Sequence, residues 1–418
     1  MHADVIIVGA GPAGLTAGIR LAEAGWSVLV LDPRVPFEKP CGGGLTPRVW
    51  DWLPVDKAAF TTRRDVDRVV LRLDDGRPVE VELPKPLSIL SRRELGARLL
   101  ERFRAAGGVF LPYRARDVED RFGQWHVHAE SDETGEEANR LIGRSADRQI
   151  DSIRDARRDG DRPVDGRSPH GLNGRTAEFP HSRTAERPSL TVLRARWLIL
   201  ADGVYGLSRK RWGHFTSAAD WTRTVGYLIP GTDGAIQIQF WSGWDGYAWV
   251  FPRADATSVG LCDALRGRAG PLFRHLDAWA TCLGWDPGSA TQRYGYLIPS
   301  PTMTRPWFPL WGDRWARIGD ASGFVDPITR EGIFYAVQAG HVLAEGILRG
   351  TFPSAWSAWL ERTRWPEWRS AARWRRWFYR PWFLRAMLAG TRWGRLYRTL
   401  QGVLVGDVPY SKLVEAVL

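Results

Sequence analysis

The stretch "GAGPAG", residues 9–14, sets Gly9, Gly11 and Gly14 between one short apolar run and a second, helically periodic one. That spacing suits a phosphate-binding turn: Gly9 permits the sharp bend, Gly11 lets the backbone approach a pyrophosphate, and Gly14 allows a helix to pack closely on a strand. The helix N-terminus then offers N–H groups and a positive dipole end to the anion. Asp32 follows Gly14 by 18 residues and ends the next apolar run, where a carboxylate can accept hydrogen bonds from ribose hydroxyls. A dinucleotide site is the expectation, with flavin and nicotinamide both open at this point. Two later motifs add polar groups: "ADGVYGLSR" carries Asp202 and Gly203, and "RIGDASGFVDP" carries Gly319 and Asp320. Asp320, on a turn before a helix, is placed to accept a hydrogen bond from a polyhydroxyl chain, and N–H groups beyond it can meet further oxygens.

Two other segments carry different chemistry. "EKPCGGGLTPR", residues 38–48, sets the thiol of Cys41 between Lys39 and three glycines. "GWDGYAWVFP", residues 243–252, puts Tyr247, Trp249 and Phe251 on one face of a strand and Ala248 and Val250 on the other. The plain reading of such a strand is core. Its sharper reading is a broad apolar wall for a flexible hydrocarbon, whose affinity comes from buried CH2 groups at about 0.8 kcal/mol each.

The elements that must hold these residues follow from periodicity. "DVIIVGA" is a buried strand, "AGLTAGIRLAEAG" an amphipathic helix closed by Gly25, and "SVLVLD" a second buried strand. Residues 91–107 read as a helix with Ser91 as N-cap and Gly107 as its stop. "GVFLPY" is the next strand, and "GQWHVHAE" alternates like an exposed hairpin arm. From 131 to 188 Arg, Asp, Gly, Ser and Glu dominate, too polar to offset the entropy of ordering, so a disordered insertion is expected between two hairpin strands. The second of these is "LTVLRARWLILADG". Short alternating runs mark residues 210–305 as β-rich, and a strand, a Gly-rich turn and a long helix return after them.

At 418 residues with a formal charge of +11, the chain is globular in composition, and its basic excess alone does not choose between nucleic acid, anionic lipid and arginine-rich codon usage. Its distribution favours lipid: about residues 353–400 interleave Arg with Trp, Tyr and Leu and hold hardly any acid. The rival reading of that stretch is an arginine-rich helical cap. In the insertion, acids nearly balance bases, which argues against a nucleic-acid arm, and no nucleic-acid partner is expected. Cys41, Cys262 and Cys282 are too few and scattered for a disulfide scaffold or a four-ligand zinc site; no metal is expected and the setting is read as cytoplasmic. No apolar run reaches the roughly 18 residues a spanning helix needs, so any membrane contact is expected to be peripheral.

Fingerprint, "DG" motif and "GD" motif in this order resemble the FAD-dependent oxidoreductases with the para-hydroxybenzoate hydroxylase type of fold, over roughly residues 1 to 350. The resemblance implies FAD, and it implies that Arg92, at the start of the helix in "SRRELGARLL", contacts it. Within the group, Cys41 with its glycines and "YAWVFP" resemble the geranylgeranyl reductase family, which saturates prenyl double bonds; that family's motif begins with Pro where this chain has Trp244. The implied layout is α/β. A Rossmann-like FAD-binding domain takes residues 1–130, 189–209 and 306–350, a β-rich substrate domain 210–305, and a basic helical region 351–418. The implied partner is a prenylated lipid or other isoprenoid substrate, with Tyr247, Trp249 and Phe251 binding it and Cys41 or Tyr247 positioning or protonating the alkene. The electron donor, NADPH or a ferredoxin type, stays open. A monooxygenase acting on an aromatic or polyketide-like substrate is the alternative on the same fold.

Overall fold

The computed structural model describes residues 1–131, 190–232, 234–265, 272–302 and 305–417. Strand β1 (His2–Val8) is buried from Val5 to Val8 and lies between β2 (Val28–Leu31) and β9 (Thr191–Leu200), parallel to both. Strands buried on both faces read as continuous apolar runs, as "DVIIV" and "VLVL" do. Helix α1 (Pro12–Glu23) makes the crossover from β1 to β2. The sheet runs β15 (Trp311–Gly312), β16 (Trp315–Arg317), β9, β1, β2, β6 (Val109–Leu111), parallel from β16 onward. Helix α2 (Arg92–Ala105) starts where expected, with Ser91 Oγ accepting the Glu94 N–H at 3.2 Å, and the chain leaves it through Gly107 at φ +88°.

A hairpin of β7 (Tyr113–Arg121) and β8 (Gln124–Ser131) joins this sheet because β8 pairs antiparallel with β9. The strands on either side of residues 132–189 are thus neighbours. The insertion expected over 131–188 lies outside the described residues except for Ser131, which ends β8. The "GQWHVHAE" arm is not an exposed one: Trp125, Val127 and Ala129 are buried against Val118, Leu193 and Ala195.

The second sheet runs β14 (Gln292–Pro299), β10 (Trp221–Ile229), β13 (Thr257–Ala264), β12 (Gly246–Pro252), β11 (Ile236–Phe240), β4 (Arg64–Leu73), β5 (Val79–Ile89), β3 (Gly44–Leu45). This corrects the expected layout, which gave all of 1–130 to the dinucleotide domain. Strand β4 buries Val66, Val69, Leu71 and Leu73 on one face and pairs in parallel with β11, from the part of the chain read as the substrate domain. Nothing in the composition of residues 64–89 marks this change of sheet.

Helix α3 (Leu207–Trp212) follows β9, and α4 (Leu272–Cys282) covers one face of the second sheet, where Ala248, Val250 and Leu261 meet Leu272 and Leu276. Helix α5 (Ile333–Leu348) packs so closely on α1 that a Cβ at Gly340 would lie 2.4 Å from the Ala13 carbonyl oxygen. Then come α6 (Ser354–Trp359), α7 (Trp365–Phe378), α8 (Pro381–Gly390) and α9 (Gly394–Val405). Trp356, Leu360, Trp365 and Trp368 enter the main core, with the three indoles around Phe324. Further on, Tyr379, Leu384 and Val405 cover the other face of the second sheet. Among the described residues no helix is long and apolar enough to cross a membrane.

Candidate active site

The three glycines after β1 do different work. Gly9 has φ +102°, and a Cβ there would lie 2.3 Å from the Ala201 carbonyl oxygen; a Cβ at Gly14 would lie 2.0 Å from that of Gly9. Both are needed for packing of the turn. A Cβ on Gly11 would meet nothing within 4 Å, so this residue faces the open cleft. It is the N-cap of α1 and no side chain caps that helix, which leaves first-turn N–H groups for an anion. Asp32 stands at the end of β2, its Oδ2 accepting the Ala10 N–H at 3.0 Å and its Oδ1 the Arg34 N–H at 2.9 Å. Its carboxylate thereby ties the turn to β2, with acceptor capacity remaining for a ribose.

The cleft lies at the carboxyl ends of β1, β9 and β16, lined by Gly11, Lys39, Arg92, Gly203, Gly319 and Asp320 among others. Arg92 is buried, with its Nε unpartnered, whereas Arg93 is exposed. Glu38 fixes the start of α2 there, accepting the Arg92 N–H at 2.9 Å and a hydrogen bond from Arg253 at 3.0 Å. Lys39 Nζ donates to Asp320 Oδ2 at 2.7 Å and lies 5.3 Å from the Tyr296 ring centroid. Burial works against its charge, but Asp320 and Tyr296 together outweigh it, and the Lys39 pKa is raised. Helix α5 also aims its N-terminus here: Gly332 is its N-cap, without a side-chain cap.

Asp202 does not reach the cleft. Both its carboxylate oxygens are taken by Ser208, which donates from N–H at 2.7 Å and from its hydroxyl at 2.6 Å. Burial raises its pKa against those bonds. Asp202 therefore holds the turn into α3, and the cleft wall itself is Gly203, at φ +69°.

The cleft opens on an apolar cavity of about 240 Å³ between the second sheet and helices α7 to α9. The two share Pro40, Cys41, Ile298, Arg330, Gly332 and Ile333. Tyr247, Trp249 and Phe251 line it from β12, at centroid separations of 6.1 and 6.2 Å. The Cys-Gly-Gly-Gly segment lies across these rings: a Cβ at Gly42 would fall 2.5 Å from Phe251 and 3.2 Å from the Trp249 indole nitrogen. Trp249 Nε1 donates to Ser258 Oγ at 3.2 Å, and Ser258 Oγ donates to the Cys41 carbonyl at 3.4 Å. The two motifs thus form one contact surface. Opposite, Phe378, Met387, Leu400 and Leu404 close the cavity. Trp244 lies elsewhere, packed on Trp241 and His275.

Cys41 is half-buried, and its Sγ accepts the Gly43 N–H at 3.4 Å. Tyr247 donates its hydroxyl proton to the Thr329 carbonyl, and burial lifts its pKa well above the ordinary phenol value. Cys262, across from Tyr247 on β13, is a buried thiol pushed up to about 11 by desolvation. The segment 326–331 is fixed by Asp326, which accepts N–H bonds from Ile328 at 2.7 Å and Thr329 at 2.8 Å. Arg330 there has φ +62° and bonds Asp245, which also accepts from Arg375 of α7 at 3.0 Å. Lys39, Arg330 and Tyr296 are the cleft residues that sequence motifs missed. For Lys39 the signal was a cation two residues before Cys41; Arg330 and Tyr296 carried none.

A cleft with two helix N-termini, three cations and one carboxylate, beside an unpartnered buried guanidinium nitrogen, fits a dinucleotide's pyrophosphate and hydroxyls. Comparison with known proteins agrees: the FAD binding domain family matches residues 4–39. The chain is similar to FAD-dependent oxidoreductases, and FAD is its cofactor. Among its relatives there, a menaquinone reductase of Mycobacterium tuberculosis is 28% identical over 355 residues, covering 82% of this chain and 76% of that protein. A geranylgeranyl diphosphate reductase of Rhodobacter capsulatus is 26% identical over 359 residues, covering 83% and 75%. The solved structure of a geranylgeranyl bacteriochlorophyll reductase-like protein from Thermoplasma acidophilum shares the fold, with a TM-score of 0.65 at 18% identity, covering 100% of this chain and 94% of that one.

Proposed function

We propose that this protein reduces carbon–carbon double bonds in the prenyl chain of a lipid, pigment or quinone. The observation that carries the reading is the largely apolar cavity, which meets the FAD cleft at Cys41 and is lined by Tyr247, Trp249 and Phe251. A prenyl chain is also what menaquinone and geranylgeranyl diphosphate, named for two relatives, have in common. FAD bound in the cleft and first reduced by the two-electron donor would supply a hydride equivalent to one alkene carbon, and saturation then needs a proton on the other carbon. The aromatic wall orients the chain, and the roof of α7 to α9 excludes water. Tyr247 is a poor acid here, since burial raises its pKa and its proton is engaged by Thr329. Its role in this reading is to hold segment 326–331 against β12. Cys41, common to both cavities, is the group we assign to the proton.

The test is anaerobic. The FAD is reduced with dithionite, which bypasses the unknown donor, a geranylgeranyl lipid is added, and flavin absorbance is followed together with product mass. One pair of hydrogens gained per flavin reoxidised is the expected result. Reoxidation only on admitting oxygen, with an oxygenated product, would assign a monooxygenase instead. Cys41→Ala should keep FAD and lose alkene reduction at least about tenfold, the lower part of the range for a proton-transfer group.

A further inference from the structure

The three helices that roof the cavity carry exposed arginines and tryptophans together on their outer side. Residues 368–406 contain nine arginines and no aspartate or glutamate. Arg375 is buried on Asp245, but Arg369, Arg373, Arg376 and Arg380 are exposed at helical spacing along and just beyond α7, and Arg385 and Arg392 are exposed on and after α8. Among these cations stand large apolar rings. Trp377, Trp382 and Trp393 are 54%, 56% and 67% exposed, and they are three of the four exposed tryptophans among the described residues. Trp377 and Trp382 have centroids 6.1 Å apart, so α7 and α8 present a joint aromatic patch at their corner.

Cations at helical spacing with no acid between them favour an anionic partner, and exposed indoles favour one that also offers an apolar layer. The headgroup region of a bilayer supplies both at once, with each basic side chain near its surface adding to the attraction. We propose that the outer side of α7 and α8, with Trp393 at the start of α9, is a docking surface for anionic lipid bilayers. Trp377, Trp382 and Trp393 enter the headgroup layer while the arginines hold phosphates around them. The inner side of the same helices carries Phe378, Met387, Leu400 and Leu404 into the cavity, so docking sets the roof of that cavity against the lipid phase. The surface rests on charge and ring exposure alone and stands apart from the identity of the reaction.

The test uses the full-length FAD-loaded protein and two kinds of vesicle, phosphatidylcholine alone and phosphatidylcholine with one third phosphatidylglycerol, with free and bound protein separated by flotation. Binding to the anionic vesicles at low salt, at least about tenfold weaker on neutral ones and falling as salt rises, is expected. Bromine-labelled acyl chains should quench part of the tryptophan fluorescence. Two variants decide the seat, each checked for an unchanged flavin spectrum and unfolding temperature: W377S/W382S/W393S and R373Q/R376Q/R380Q/R385Q. Each should lose binding at least about tenfold, and the first should also lose the quenching. Equal affinity for both vesicles, no binding to either, or tryptophan substitution without effect on binding or quenching would overturn the proposal. The last result would point to an acidic protein as the partner of a purely electrostatic surface.

Discussion

The ion pair of Lys39 with Asp320 is the residue-scale feature on which the cleft turns. Its two side chains are 24% and 19% exposed, so neither is strongly screened, and removing one leaves the other charge where a cofactor must sit. With Lys39 present, the Asp320 carboxylate is partly neutralised and keeps lone pairs for a hydroxyl. Lys39→Met leaves a bare carboxylate in a cleft that must also accept a diphosphate, so FAD should be held more weakly. About tenfold is the expected rise in Kd, corresponding to about 1.4 kcal/mol. Titration of the apoprotein with FAD, read by quenching of flavin fluorescence, measures it, and an unchanged Kd would show that Asp320 is neutralised by other means. Arg93→Met, on an exposed neighbour of Arg92, should leave Kd where it is.

At the scale of elements, the decisive contact is the glycine segment lying across β12. Gly42 has no room for a Cβ against Phe251 and Trp249, and Gly43, at φ +76°, has none against the Leu90 carbonyl. Gly42→Val must lift the segment off the rings or turn the rings into the cavity, because two rings side by side on β12 cannot move aside to admit the added methyl groups without overpacking. The expected outcome is retained FAD, since Gly11, Arg92 and Asp320 are untouched, with turnover of a prenyl substrate reduced at least about tenfold. Normal turnover would remove the segment from the site. Part of this pairing was legible in the sequence: alternation placed the three rings on one face, and three glycines stood beside Cys41. What they approach was not, because contact between residues 42 and 251 depends on how two distant strands stack. Asp202 shows the opposite failure. Its type and neighbours suggest a ligand contact, but Ser208, a few residues on, takes both oxygens. Residues 64–89 were counted with the dinucleotide domain because a sequence shows which face of a strand is apolar and never which strand lies alongside.

For the whole molecule, the C-terminal region is part of the core rather than a detachable cap. Trp356, Leu360, Trp365 and Trp368 are each 4% exposed or less, as is Leu384, and burial of each such side chain contributes about 1.5–3 kcal/mol. Several of them together rival the 5–15 kcal/mol by which a domain is stable at all. Arg375 adds a polar tie, since it reaches Asp245 and the Ser300 carbonyl at 2.7 Å, and Asp245 in turn holds Arg330 at the junction of the two cavities. The chain's last helices, the second sheet and the loop beside the FAD cleft therefore share one set of contacts, and they should unfold together. A chain ending at residue 352 would expose Phe324 and the aromatic face of β12 at once. It should lack a cooperative thermal transition and near-ultraviolet circular dichroism, bind a hydrophobic dye, and retain little FAD. A truncated protein that kept its unfolding temperature and its flavin would mean that the second sheet closes on itself without α7 to α9. The cavity would then be an open groove, and the helices above it a lid added to a finished domain.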